Sequence, residues 1–304
     1  MRKQLFGFVF GMYLLSLPVV VNGDTKLRVK FKAGDVQKLT MTQKQSMTME
    51  IPNQPPMKTE MENVMDMETK CDNIDSAGVA SLQQKIARAQ MTMQMPAPLN
   101  RSIKYDSKEE VPTDPILAQI DKMMRPMIGA EMTMKCDPLG KISDFAMDPE
   151  ALSGIKDSPA AAFGGEMFSE AGMKQMTEQS ALSMPEGELK IGDTWTSSTE
   201  VKSPLGKMTV TRDHKYLGPG EKSGQERIGV TAKISLEPDP NSKLPFTATL
   251  TSGDGGGEII FDNNLGRLIN SNIKTKIQME LNVGNQKILQ NIDGEVIVQD
   301  ATGN

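Results

Sequence analysis

The chain has 304 residues, with 34 Lys and Arg against 39 Asp and Glu, a formal net charge of −5 and one histidine. An acidic balance without a dense basic cluster argues against nucleic acid as a partner, and a single histidine leaves no Cys/His set with zinc-ligand spacing. Aromatics make up 4% while methionine reaches 24 residues, so Met must fill apolar positions that Leu and Phe usually hold.

The first residues read as an export signal. Arg2 and Lys3 form a basic start, Leu5 to Val21 is an apolar run, and Val21-Asn22-Gly23 is a small-residue cleavage site. Pro18 interrupts the run, which falls short of the roughly 20 residues of a comfortable membrane span. Cleavage after Gly23 is therefore expected. Position 24 is Asp rather than Cys, which does not support lipidation of the bacterial lipoprotein type. No second apolar span follows, so no transmembrane span is expected after signal cleavage. The expected location is secreted or periplasmic, in the cell envelope.

From Val36 to Ile51 the residues Leu39, Met41, Met47, Met49 and Ile51 share one parity, with Thr40, Thr42, Thr48 and Glu50 on the other. Such period-two alternation predicts a half-buried strand. Pro52 to Pro56 ends it. Met61, Met65, Met67 and Cys71 line the next strand, and Val79 to Met95 makes a third. Ile103 to Tyr105 is a short strand. Pro115 to Met127 repeats its apolar residues at spacings of three and four, which predicts a helix, with Thr113 or Asp114 as N-cap and Pro115 at the first position. Met132, Met134 and Cys136 form a strand, and Ile142 to Phe145 another. Helices are expected at Pro149 to Gly154 and Gly165 to Ala181, around a loose stretch from Ala160 to Gly165.

The second half alternates more strictly. Strands are expected at Thr194 to Thr199, through Met208, Val210, Arg212, His214 and Tyr216, and through Ile228, Val230, Ala232, Ile234 and Leu236. A further one covers Phe246 to Leu250. Gly253-Asp254-Gly255-Gly256-Gly257 follows and is expected to be a hairpin: it lacks the Lys-Ser/Thr of a phosphate loop and opens no helix. Ile269 to Leu281 and Ile288 to Val298 complete the set. Short, turn-rich links between consecutive strands predict antiparallel meanders with one packed and one wet face.

A short signature occurs twice. Phe31-Lys32-Ala33-Gly34-Asp35 returns as Leu189-Lys190-Ile191-Gly192-Asp193, each opening a run of strands. Asp137-Pro138-Leu139-Gly140-Lys141 likewise returns as Asp262-Asn263-Asn264-Leu265-Gly266-Arg267. Matched landmarks in the same order indicate a duplicated unit. The fold class is mainly β with a few helices (α+β): two related antiparallel meander units forming curved sheets or an open barrel, with helices covering one face. The expected division is 1–23 signal peptide, 24–147 first unit with a helix inserted near 115–127, 148–187 helical connector, and 188–304 second unit.

These openers, the Met-x-Met strands, the Asp-x-Leu-Gly-Lys turn and Ile191-Gly192-Asp193-Thr194-Trp195 with Pro204-Leu205-Gly206-Lys207 resemble an uncharacterised family of secreted bacterial β-rich proteins. The resemblance covers most of the mature chain and implies a fold but no activity. The layout is also similar, at the level of fold alone, to the lipoprotein-carrier folds of the bacterial envelope, in which a curved sheet and covering helices hold an acyl chain.

Chemistry-bearing residues are few. Met65, Met67, Met91, Met93, Met132 and Met134 put thioethers on strand faces, which suits an adaptable apolar pocket, plain core packing or, with soft sulfur, Cu(I). Arg212 and His214 share a face with Tyr216 and could grip an anionic head group at a cavity mouth; a satisfied or solvated histidine is the plainer reading. No Gly-x-Ser-x-Gly elbow occurs to serve a triad with His214. Cys71 and Cys136 face the apolar side, and an oxidising compartment permits a disulfide as well as two buried thiols. No resident metal or cofactor is expected. The leading expectation is a non-enzymatic binding module for a lipid or other apolar small molecule on a Met-lined sheet face. A structural factor contacting another envelope protein comes second, and Cu(I) binding third.

Overall fold

The computed structural model describes residues 24–302 apart from 98–99, 157–171, 175–176, 178–181, 204, 241 and 243. Among these, twelve strands form one open antiparallel sheet. The first run comprises β1 (Val36–Glu50), β2 (Met57–Ile74), β3 (Ala80–Gln94), β4 (Ser102–Asp106), β5 (Met132–Cys136) and β6 (Ile142–Met147). The second comprises β7 (Thr194–Ser203), β8 (Gly206–Pro219), β9 (Gln225–Pro238), β10 (Thr247–Asp262), β11 (Arg267–Val283) and β12 (Gln286–Asp300). The spatial order is β6-β5-β3-β2-β1-β12-β11-β10-β9-β8-β7, with β4 on β3 beyond the end of β5. Two meanders are thus fused through β1 and β12, paired from Leu39–Asp300 to Glu50–Leu289.

The repeat survives in hydrogen-bond detail. In the first opener Gly34 N–H donates to the Cys71 carbonyl and Cys71 N–H to that of Asp35; in the second, Gly192 and Asp193 make the same pair of bonds with Tyr216. Both partners lie on the second strand of their run. The two Leu-Gly turns are also built alike. The Asp137 carboxylate accepts from the amides of Leu139 and Lys141, and the Asp262 carboxylate from those of Asn264 and Leu265. Each turn closes with a glycine at positive φ, Gly140 at 83° and Gly266 at 68°, which a side chain disfavours.

All four landmarks lie at one end of the sheet, where residues 25–30 cross it as a strap. Thr25 exchanges two backbone bonds with Leu189, Val29 N–H donates to Pro138 O, and Lys30 N–H to Gly266 O. Arg28 donates to the carbonyls of Pro185 and Glu186. Leu27 is fully buried, within a cluster that includes Met184, Leu189, Tyr216, Ile228 and Phe261. A second cluster lies under the first run, with Leu82, Met134, Phe145, Met147 and Ala151. Ala151 belongs to α2 (Pro149–Lys156), so this helix packs into that core. The helix α1 (Pro115–Met124) starts at Asp114, whose carboxylate accepts from Ile116 and Leu117, and continues as a 3-10 turn, Arg125–Met127. Of the helix expected at 165–181, residues 172–174 and 177 are helical and the remainder lies outside the described residues.

One expectation needs correction. Gly253 to Gly257 is not a hairpin: the stretch runs inside β10, paired to both β9 and β11. Strand neighbours approach too closely there for side chains; a Cβ on Gly257 would lie 1.9 Å from the Asn272 carbonyl oxygen. The cysteines are free and buried. Cys71 on β2 faces Leu82, and Cys136 on β5 faces Ala80, so β3 lies between them. Two strand spacings amount to about 10 Å, beyond the Cα separation a disulfide spans. Burial pushes the Cys136 thiol up to about 12, with the Asp137 charge adding to it.

The strap predicts its own cost. Leu27→Ala should lower stability by about 2–5 kcal/mol, read as a fall in the urea midpoint of Trp195 fluorescence at unchanged slope. A loss below about 0.5 kcal/mol, the size of an ordinary surface change, would show the strap to be dispensable.

Candidate functional site

The inner face of the sheet is set by alternation, and the register carries it across all strands. One inner row runs Met91, Asn63, Gln43, Val296, Ile273, Gly257, Val230, His214, Trp195. The next runs Ala89, Met65, Met41, Val298, Ser271, Ile259, Ile228, Tyr216. Val230 and His214 are buried in the first row and Ala89, Ser271, Ile259, Ile228 and Tyr216 in the second, while the other side chains of both rows are half-buried. Three glycines of β10, Gly253, Gly255 and Gly257, occupy inner positions, so the face there is bare backbone.

Beside this bare strand lies a cavity of about 240 Å³. Val230, Ile259, Leu268, Ile273 and Val298 wall it, and Leu182 and Ser183 of the segment before β7 close it. That segment is held by Met184 N–H donating to Leu139 O and by the Trp195 indole N–H donating to Ser183 O at 2.9 Å. The polar groups converging on the cavity are Ser197, Arg212, His214 and Ser271.

His214 is 3% exposed, stacks under Trp195 with ring centroids 5.1 Å apart, and places Nε2 3.0 Å from Ser197 Oγ. Among the described residues its Nδ1 has no hydrogen-bond partner. Burial drives its pKa down to about 4, with the Arg212 charge adding to the fall and Asp213, on the opposite face, opposing it. Arg212 is half-buried, donates to Thr199 Oγ1 at 3.0 Å, and burial lowers its pKa. The Ser197–His214 contact resembles a nucleophile with its base. However, a base near pKa 4 is far from the value that serves general-base catalysis at neutral pH, and among the described residues no carboxylate orients Nδ1 as a triad requires.

Of the residues singled out from sequence, Arg212 and His214 meet in this cavity. The methionines lie on the same face of the first run. Met65 faces Met41 and Ala89, Met67 faces Leu39 and Ile86, Met91 faces Asn63 and Tyr105, and Met93 faces Met61 and Ile103. Met132 faces Gln84 and Met147, while Met134 faces Leu82 inside the first core cluster. Met65 is joined to the cavity wall through Met41 and Val298. The Met face is not uniformly apolar, because Gln43, Gln45 and Asn63 share it. Ser197, Ser271 and the glycine stripe were missed in the sequence; glycines at 253, 255 and 257 do carry the strand period of two. A further groove of about 450 Å³ crosses the ends of β3 and β2 and the middle of β1, β12 and β11, but its Lys274 already pairs with Glu295 at 3.7 Å.

The buried imidazole yields a prediction with a definite sign. The folded value lies below the ordinary value of about 6.5, so stability from His214 is present above about pH 6.5 and is lost as pH falls towards 4. Proton NMR of the single histidine should show a midpoint near 4 in the folded protein, with the urea midpoint falling over the same window. A midpoint near 6.5 would mean a solvated ring.

No curated protein matches the sequence. Among solved structures, lipovitellin, titled for its lipid–protein interactions, aligns with 90% of this chain at 11% identity and a TM-score of 0.46. The chain spans 26% of that protein's length. An outer membrane channel from Pseudomonas putida F1 aligns at 8% identity and TM-score 0.24, over 90% of this chain and 97% of the channel. Pseudomonas aeruginosa OpdQ aligns at 6% and 0.23, over 88% and 99%. Residues 77–268, from the turn before β3 to the start of β11, match a family of unknown function, DUF6263, and the chain belongs to that family, in keeping with the uncharacterised family its openers and turns resemble.

Proposed function

We propose that this protein is a non-enzymatic binding protein of the cell envelope that holds a lipid or other largely apolar small molecule on the inner face of its sheet. The observation that carries the reading is the cavity of about 240 Å³ beside the β10 glycines, with apolar walls and a few convergent polar groups, the usual composition of a small-molecule site. At about 30 Å³ per water in the liquid, it has room for roughly eight waters or one end of a larger ligand. The apolar row continues from Val298 through Met41 to Met65 and can take the rest. Methionine suits such a surface because its unbranched thioether repacks around varied shapes. Export by residues 1–23 and release after Gly23 belong to the same proposal.

Native mass spectrometry of protein purified from its producing cells, followed by solvent extraction, tests this reading. The expected result is a chain starting at residue 24 that carries extra mass recoverable in the organic phase. Delipidated protein should then take up the neutral probe N-phenyl-1-naphthylamine saturably, with energy transfer from Trp195. Val298→Phe, which fills the cavity, should weaken uptake at least about tenfold, the size of 1.4 kcal/mol. A bare chain that takes up no probe would overturn the proposal.

A further inference from the structure

Among the described residues, the cavity contains a cation without a counter-charge. Five other described arginines have carboxylate partners: Arg88 with Asp106, Arg101 with Asp114, Arg125 with Asp121, Arg227 with Glu258 and Arg267 with Asp300. Arg28 is satisfied by backbone carbonyls. Arg212 has only the Thr199 hydroxyl, and among the described residues no carboxylate lies within ion-pair reach. Its guanidinium cannot shed the proton in a protein, so a half-buried charge persists with no counter-charge among the described residues. Such charges are costly unless paired.

The groups beside it point to what would pair with it. In the tautomer in which Ser197 O–H donates to His214 Nε2, Nδ1 carries the proton and is a donor without a partner among the described residues, in a side chain only 3% exposed. Ser271, 7% exposed, adds a second hydroxyl on the β11 side of the same cavity. Among the described residues no acidic side chain lines it. One permanent positive charge with neutral donors around it suits a single anionic head group.

We propose that the cavity takes the carboxylate or phosphate head of an amphipathic ligand, with Arg212 supplying the charge, His214 Nδ1 and Ser271 the hydrogen bonds, and the row Val298, Met41, Met65 the path of its chain. This rests on the ligand-binding reading above and adds the class of ligand to it. The fork of the guanidinium matches two oxygens at once, which an ammonium cannot do.

The test compares three ligands of one chain length, hexadecanoic acid, hexadecyl phosphate and hexadecanol, by displacement of N-phenyl-1-naphthylamine and by emission of Trp195, which stacks on His214. A charged hydrogen bond is worth about 1.5–3 kcal/mol, so wild-type protein should bind at least one anion about 10- to 100-fold tighter than the alcohol. Arg212→Gln should bring that anion down to the alcohol's affinity and leave the alcohol unchanged, and Arg212→Lys should fall between. Preference for the acid alone identifies a carboxylate ligand, and preference for the phosphate alone a phosphate ligand. Equal binding of all three by wild type, or loss of all three together in folded Arg212→Gln and Arg212→Lys, overturns the anion site while the apolar reading stands. No binding of any of them by wild type overturns both.

Discussion

The fold depends on a six-residue strap. Thr25 to Lys30 is not one of the sheet's strands, yet it bonds to the second opener, to the Asp137 turn and to the Asp262 turn. Leu27 sits at its middle with no exposed surface. A sheet this long, left to itself, would twist and splay at its ends. Here the two runs converge at one end because their turns, built alike, offer carbonyl oxygens that the strap's amides occupy. The turns thus have two tasks: they reverse the chain, and they dock it.

The seam between the runs acts with the strap. β1 and β12 pair along nearly their whole lengths, joining residues about as far apart in sequence as the chain allows. Such non-local pairing costs loop-closure entropy before any contact repays it. Strap and seam close nearly the same loop, so forming one makes the other cheap. The family match from residue 77 to 268 leaves out the strap, β1, β2, β12 and nearly all of β11. The seam therefore lies wholly outside the matched region, while the cavity's β7, β8, β9 and β10 residues lie inside it.

Much of the sheet was legible because period-two alternation follows directly from strand geometry. The pairs Arg212/His214 and Met65/Met67 could be placed on a common face from parity alone. Register between distant strands could not, since nothing local to Leu39 announces Asp300. The glycine run was misread for a physical reason: Gly-Asp-Gly is ordinary turn chemistry, and only β9 and β11 pressing from both sides make it a strand. The cysteine pairing was undecided until β3 was seen between the two strands. Ser197 and Ser271 carry no sequence signal, because a serine at an inner strand position looks the same whether it lines a cavity or fills a gap.

The electrostatics of the cavity follow from that same packing. Trp195 stacks on His214 and the 182–184 segment covers it, and both exclude water that would otherwise solvate imidazole and guanidinium alike. The two groups respond differently, because histidine can give up its proton and arginine cannot. Desolvation therefore sorts them, leaving one neutral imidazole and one fixed charge where sequence parity showed only two basic residues side by side. In the proposed site, burial that would be a defect in a core acts as preorganisation: the groups are already held in place, so an entering anion would have little left to rearrange.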